Sequence, residues 1–201
     1  MNLVITGVGG QGNILVSEIL AKAAVAEGFL VTVGESYGMS QRGGSVASHI
    51  RLSREMQYGP VIPAGQASVI AGFEPVEAAR AALELGHPGV KLLVNPRPIY
   101  PVGTLMGKHV YPDPVKLIDQ LRKMAASVLV IESTALARLA GDPVAQNIVM
   151  VGALAGSGYL PLTPENILRT VEKAVLDRVI ELNRRAFLLG FEAAERMRSS
   201  A

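Results

Sequence analysis

Residues 2–35 read NLVITGVGGQGNILVSEILAKAAVAEGFLVTVGE, and this stretch decides the fold. Asn2 to Thr6 is an apolar run of strand length. Gly7 to Gly12, GVGGQG, fits G-x-G-x-x-G and permits a tight turn with close backbone approach. Residues 13–27 then place Ile14, Leu15, Ile19, Leu20 and Ala23 along one side of a helix, which Gly28 stops. Residues 29–35 return as a second strand. A strand, a glycine turn, a helix and a strand form the opening unit of a doubly wound sheet.

The same alternation continues. SVASHIRL, residues 45–52, has period two: Val46, Ser48, Ile50 and Leu52 face one way, and Ser45, Ala47, His49 and Arg51 the other. Strands are expected at 67–72, 90–95 and 127–133, and helices at 74–86, 113–125, about 134–140 and about 144–156. The fold class that follows is α/β: a Rossmann-like, doubly wound, mostly parallel sheet with helices on both faces.

Thr163 is a candidate N-cap with Pro164 behind it, and from there the chain reads as helical almost to its end. Leu168, Val171, Val175, Val179, Leu182, Ala186, Leu189 and Ala193 recur at three- and four-residue steps. Leu176, Ile180, Phe187 and Phe191 add a second seam. Two seams suggest a helix pressed between two bodies. Either both belong to this domain, or one is a partner subunit. The expected organisation is one domain: an α/β core over 1–162 and a C-terminal helical segment over 163–201, packed on the core or on a partner.

Composition narrows the function. The 201 residues are 49% hydrophobic and 18% charged, enough to bury a core. A net charge of +2, with no basic block interleaved with aromatics, argues against a nucleic-acid partner. Met1 runs directly into a strand and no apolar run reaches membrane-spanning length, so a cytoplasmic protein without a leader is expected. The sequence has no cysteine, which excludes disulfides, thiolate nucleophiles, Cys-ligated zinc and a Cys-held iron–sulfur cluster on this chain. His49, His87 and His109 show no metal-ligand spacing, and neither G-x-S-x-G nor a P-loop is present.

Two loops remain. The turn Gly9-Gly10-Gln11-Gly12 sits where a helix N-terminus favours an anion. Glu35 lies 23 residues after Gly12, about where a dinucleotide fold keeps its ribose-binding acid, so the NAD fingerprint is formally complete. Three features count against it. Gln11 puts a bulky amide where a pyrophosphate should approach, Glu35 leads into a loop expected over ribose space, and no hydride-transfer residue follows. A dinucleotide, another phosphate-bearing ligand and a structural turn or interface all stay open. The second loop, Gly38-Met39-Ser40-Gln41-Arg42-Gly43-Gly44, combines turn glycines with a guanidinium able to grip a carboxylate or phosphate. Its alternative is a solvated loop. His49, on the polar face of the following strand, adds to the candidate site.

Taken together, GVGGQG, then ESYGMSQRGGSVASHIRL at 35–52, then QNIVMVGALAGSGYLPLTPENI at 146–167, resemble one family along most of the chain. It is the gamma subunit, or gamma domain, of 2-oxoacid:ferredoxin oxidoreductases, with the nearest likeness to the small (beta) subunit of the indolepyruvate enzymes. The resemblance implies a subunit that is not active alone. Its complex would oxidatively decarboxylate a 2-oxoacid to an acyl-CoA and pass electrons to ferredoxin. Thiamine diphosphate, magnesium and iron–sulfur clusters would sit on a large partner subunit, with coenzyme A as co-substrate and no cofactor or catalytic residue on this chain. Residues Gly9–Gly12 and Gly38–Gly44 would form one polar edge that binds a ligand or docks on the partner, with Arg42 as the anion contact. The isolated chain is expected to pair with itself. The alternative of another class is a stand-alone NAD(P)-binding enzyme or sensor.

Overall fold

The computed structural model describes residues 1–38 and 44–199. A six-stranded sheet carries β1 (Asn2–Val8), β2 (Leu30–Tyr37), β3 (Ser45–Ser53), β4 (Val69–Gly72), β5 (Lys91–Val94) and β6 (Ser127–Val130) in the spatial order β2-β3-β1-β4-β5-β6. β1, β4, β5 and β6 are parallel neighbours, while β3 runs antiparallel to both β1 and β2. The mostly parallel, doubly wound expectation holds, with one difference that matters for the site. The strand following the first helix does not pair with β1, because β3 lies between them.

Helices cover both faces. α1 (Asn13–Ala26) joins β1 to β2, and α2 (Pro75–Leu85) follows β4. A short α3 (Val102–Leu105) and α4 (Pro114–Met124) lie between β5 and β6. After β6 come α5 (Ser133–Ala140), α6 (Gln146–Gly156), α7 (Pro164–Ala174) and α8 (Ile180–Ser199). Alternation along β1 divides the core: Leu3 and Ile5 join the cluster that holds α1 and α5 to α8, whereas Val4 joins Ile70, Leu92 and Leu121 under α2 and α4. β6 ends sooner than the pattern suggests, because Ser133 already opens α5.

The C-terminal segment corrects the sequence reading. It is two helices, not one. Val175 and Leu176 are extended and Asp177–Val179 is a 3₁₀ turn. The β-branched Val171, Val175 and Val179 kept the helical period while lowering helix propensity, so the pattern hid the break. Folding back lets Val171 of α7 and Ala186, Phe187 and Ala194 of α8 enter one core, while Leu176 stays 66% exposed. α8 lies backbone to backbone against α6. A Cβ at Gly152 would sit 1.9 Å from the Phe187 carbonyl oxygen, and one at Gly190 equally close to that of Val149. Among the described residues no helix is long and apolar enough to cross a membrane.

Candidate functional site

The turn after β1 is held from within. Gln11 is 7% exposed; its Oε1 accepts from the Val8 N–H at 2.7 Å and its Nε2 donates to the Phe73 carbonyl at 2.9 Å. The amide is therefore folded under the turn. It does not occupy the approach to the helix, and that objection to a phosphate ligand falls. Gly7 makes room for it, since a Cβ there would lie 2.5 Å from Gln11 Oε1. Gly12, the N-cap of α1, has φ +81° and would meet Asn147 Nδ2 at 2.5 Å if it carried a Cβ.

This turn opens into a cleft of about 650 Å³. Its floor is the backbone of Gly9, Gly10 and Gly12 and the first residues of α1. Among the described residues its apolar walls are Val8, Ile14, Val46 and the Tyr37 ring, with Asn13 and Ser45 beside them. α1 has no side-chain cap and no acid in its first turn. The Gly12 and Asn13 N–H groups meet no backbone acceptor among the described residues. The positive end of the helix thus faces the cleft without an internal counter-charge. Asn13 also lines it, only 3% exposed: its Nδ2 reaches the Val46 carbonyl at 3.4 Å, and its Oδ1 has no partner among the described residues.

The two described ends of the second glycine loop lie beside the first. Gly38 lines the same cleft, and the Gly9 N–H donates to the Gly44 carbonyl at 2.9 Å. Met39, Ser40, Gln41, Arg42 and Gly43 lie outside the described residues. His49 is not part of the cleft. It borders a separate pocket of about 140 Å³ with Glu77, Arg80 and Glu84, and its Nδ1 accepts from the Ile62 N–H at 3.3 Å. Burial holds its pKa below the usual value, against the pull of the Glu84 carboxylate. Ser45 borders both spaces and donates to Glu77 Oε2 at 2.6 Å. Sequence reasoning missed Asn13 and Tyr37, while Ser45 was noted only as part of the polar face of its strand. The only available signal for Asn13 was an amide at the first position of a helix, with the N-cap given to glycine.

The topology also breaks the dinucleotide fingerprint. A ribose-binding acid must stand at the end of the strand beside the glycine turn. Glu35 pairs in register with Ser48, and Ser48 with Ile5, so it stands two strand spacings, roughly 10 Å, from β1. Its carboxylate accepts from the Tyr37 hydroxyl and does not line the cleft.

A family profile described as pyruvate ferredoxin/flavodoxin oxidoreductase matches residues 2–193. The chain belongs to that family. It is 40% identical over 201 residues to the indolepyruvate oxidoreductase subunit IorB of Thermococcus kodakarensis, covering 98% of this chain and 96% of that one. Its fold matches the gamma subunit of a keto/oxoacid ferredoxin oxidoreductase from Geobacter sulfurreducens at TM-score 0.69 and 26% identity, over 96% of this chain and 97% of that one. It also matches 31% of a longer chain, the 2-oxoglutarate:ferredoxin oxidoreductase of Magnetococcus marinus, at TM-score 0.73 and 20% identity over 98% of its own length. The latter likeness is one of fold alone.

Proposed function

We propose that this chain is the small, gamma-type, non-catalytic subunit of a 2-oxoacid:ferredoxin oxidoreductase acting on indolepyruvate or a related oxoacid. The observation that carries the reading is the 40% identity to an IorB subunit over nearly the full length of both chains. The absence of cysteine agrees with it: a chain without thiolates has no conventional means of holding an iron–sulfur cluster, so the redox centres belong to a partner. Thiamine diphosphate and magnesium are assigned to that same large, cytoplasmic partner, which converts the oxoacid to an acyl-CoA and passes electrons to ferredoxin.

Within such a complex the cleft would receive a phosphate-bearing co-substrate, coenzyme A. The free N-terminus of α1 offers N–H groups to a phosphate, and the apolar walls take a flat or aliphatic portion. The decisive experiment is co-expression with the large subunit, anaerobic purification, and an assay of oxoacid-dependent dye reduction with and without this chain. Activity that requires both chains supports the reading. Full activity of the large subunit alone overturns it. Self-association of the isolated chain, by sedimentation, tests the expectation that it pairs with itself when its partner is absent.

A further inference from the structure

A second concavity, of about 370 Å³, runs between α1 and α7. Its floor is the buried Asn166 with the half-buried Thr170, Ala26 and Ala174 are exposed at its rim, and cations stand on both sides: Lys22 from α1, Arg169 and Lys173 from α7. Arg169 and Lys173 have no carboxylate partner among the described residues, and the pair of Lys22 with Glu18 is an exposed one of the weak kind. The uncharged polar groups in the groove are already engaged. Asn166 Nδ2 donates to the Ala23 carbonyl at 2.8 Å and to Glu27 Oε1 at 3.0 Å, and Thr170 Oγ1 donates to the Asn166 carbonyl at 2.8 Å.

That combination selects its occupant. A small anion is held by fixed donors, and the floor has none left to give. What remains is positive charge on long, exposed side chains around a shallow trough, which suits an extended carboxylate-rich segment. Resting on the subunit reading above, we infer that this groove docks an acidic segment of the large partner subunit. Lys22 follows Asn13 by nine residues on α1, roughly 14 Å along the helix, so this contact leaves the cleft at the other end open.

The test is the affinity of the full-length chain for its co-expressed partner, measured against salt, for the parent and for the double variant Arg169→Glu/Lys173→Glu. Both positions are exposed, so the exchange buries no charge, and a thermal melt of the variant checks that it is folded. The variant is expected to bind at least ten-fold more weakly at about 50 mM salt, to converge with the parent at high salt, and to show a flatter salt dependence. Arg169→Gln/Lys173→Gln should fall between them. No complex with the parent chain overturns the subunit reading and this assignment together. A complex whose affinity and salt slope ignore the charge reversal overturns the groove alone. Competition by millimolar inorganic phosphate at constant ionic strength would also overturn it, by making the occupant a small anion.

Discussion

The side chain of Gln11 reaches the carbonyl of Phe73 at 2.9 Å, tying the turn after β1 to the residue that follows β4. Its other end satisfies the Val8 N–H, so one buried amide closes the glycine turn from beneath. Replacing it with alanine strands that N–H, and Gln11→Ala should lose about 2 kcal/mol in urea unfolding. Gln11→Glu should show a different signature. A carboxylate keeps the bond from Val8 but opposes the Phe73 carbonyl, so its carboxyl pKa rises in the folded state. The variant should be weakest at neutral pH and regain stability in mild acid. A flat pH profile would refute the geometry.

Gly10 and Gly12 separate conformation from space. Both have positive φ, +97° and +81°. A Cβ at Gly10 meets nothing within 4 Å, whereas one at Gly12 collides with Asn147. Gly10→Ala should cost about 1 kcal/mol, the backbone penalty alone. Gly12→Ala should cost clearly more, and Gly12→Ala with Asn147→Ala should recover part of the excess. Thermal melts of the four proteins decide it.

The α6–α8 contact makes a stronger prediction. A methyl group at Gly152 or Gly190 points directly at a backbone carbonyl that cannot rotate away. Gly152→Ala should lose roughly 3 kcal/mol or unfold the chain, although alanine is the better helix former. Wild-type stability in that variant would mean that the two helices lie farther apart.

His49 carries a pH dependence of defined sign. Its folded pKa is lowered from the ordinary 6.5, so the unfolded chain takes the proton first. The stability from its neutral form is fully present above 6.5. It falls as pH drops from there to the lowered folded value, and is constant below it. His49→Gln keeps an acceptor for the Ile62 N–H and removes the titration. Its urea midpoint should vary less between pH 7.5 and 5 than the parent's, and parallel curves would remove His49 from the account.

Glu74 anchors the segment between β5 and α4. Only 1% exposed, it accepts from the Glu77 N–H at 3.0 Å, the Ile99 N–H at 3.4 Å and the Tyr111 hydroxyl. Burial, and then the Glu74 carboxylate, hold the Tyr111 hydroxyl far above the usual tyrosine range. Tyr111→Phe should lose about 1–3 kcal/mol and leave the ultraviolet titration unchanged until alkaline unfolding. A lost phenolate step near pH 10 would show that Tyr111 is solvated.

The elements were legible because burial imposes their periods: the apolar run at Leu3–Ile5, the alternation at Val46–Leu52 and the stripe of α1 all read directly. Four features were not. The insertion of β3 between β1 and β2 is decided by long-range pairing, and no local pattern distinguishes a neighbouring strand from one that is a step away. The inward turn of Gln11 depends on Phe73, 62 residues on. The break at Val175 kept the helical spacing of its apolar residues. The approach of Gly44 to Gly9 is consistent with their positions at strand ends. The apolar walls of the cleft were not legible, because Tyr37 and Ile14 approach each other only once the sheet has formed.

The reversed strand acts as a ruler. β3 is bonded to β1 on one side and β2 on the other over most of its length, and it delivers Gly44 to Gly9 by counting residues from Arg51. A slip of one residue would part those two glycines and turn Ile50 and Leu52 toward the opposite face. Lengthening or shortening the connection between Gly38 and Gly44 leaves that count untouched, whereas a single deletion between Val46 and Ile50 does not. The two halves of the cleft, separated in the chain by most of α1 and most of β2, are therefore free to diverge in their loops but bound to a fixed spacing by the strand that joins them.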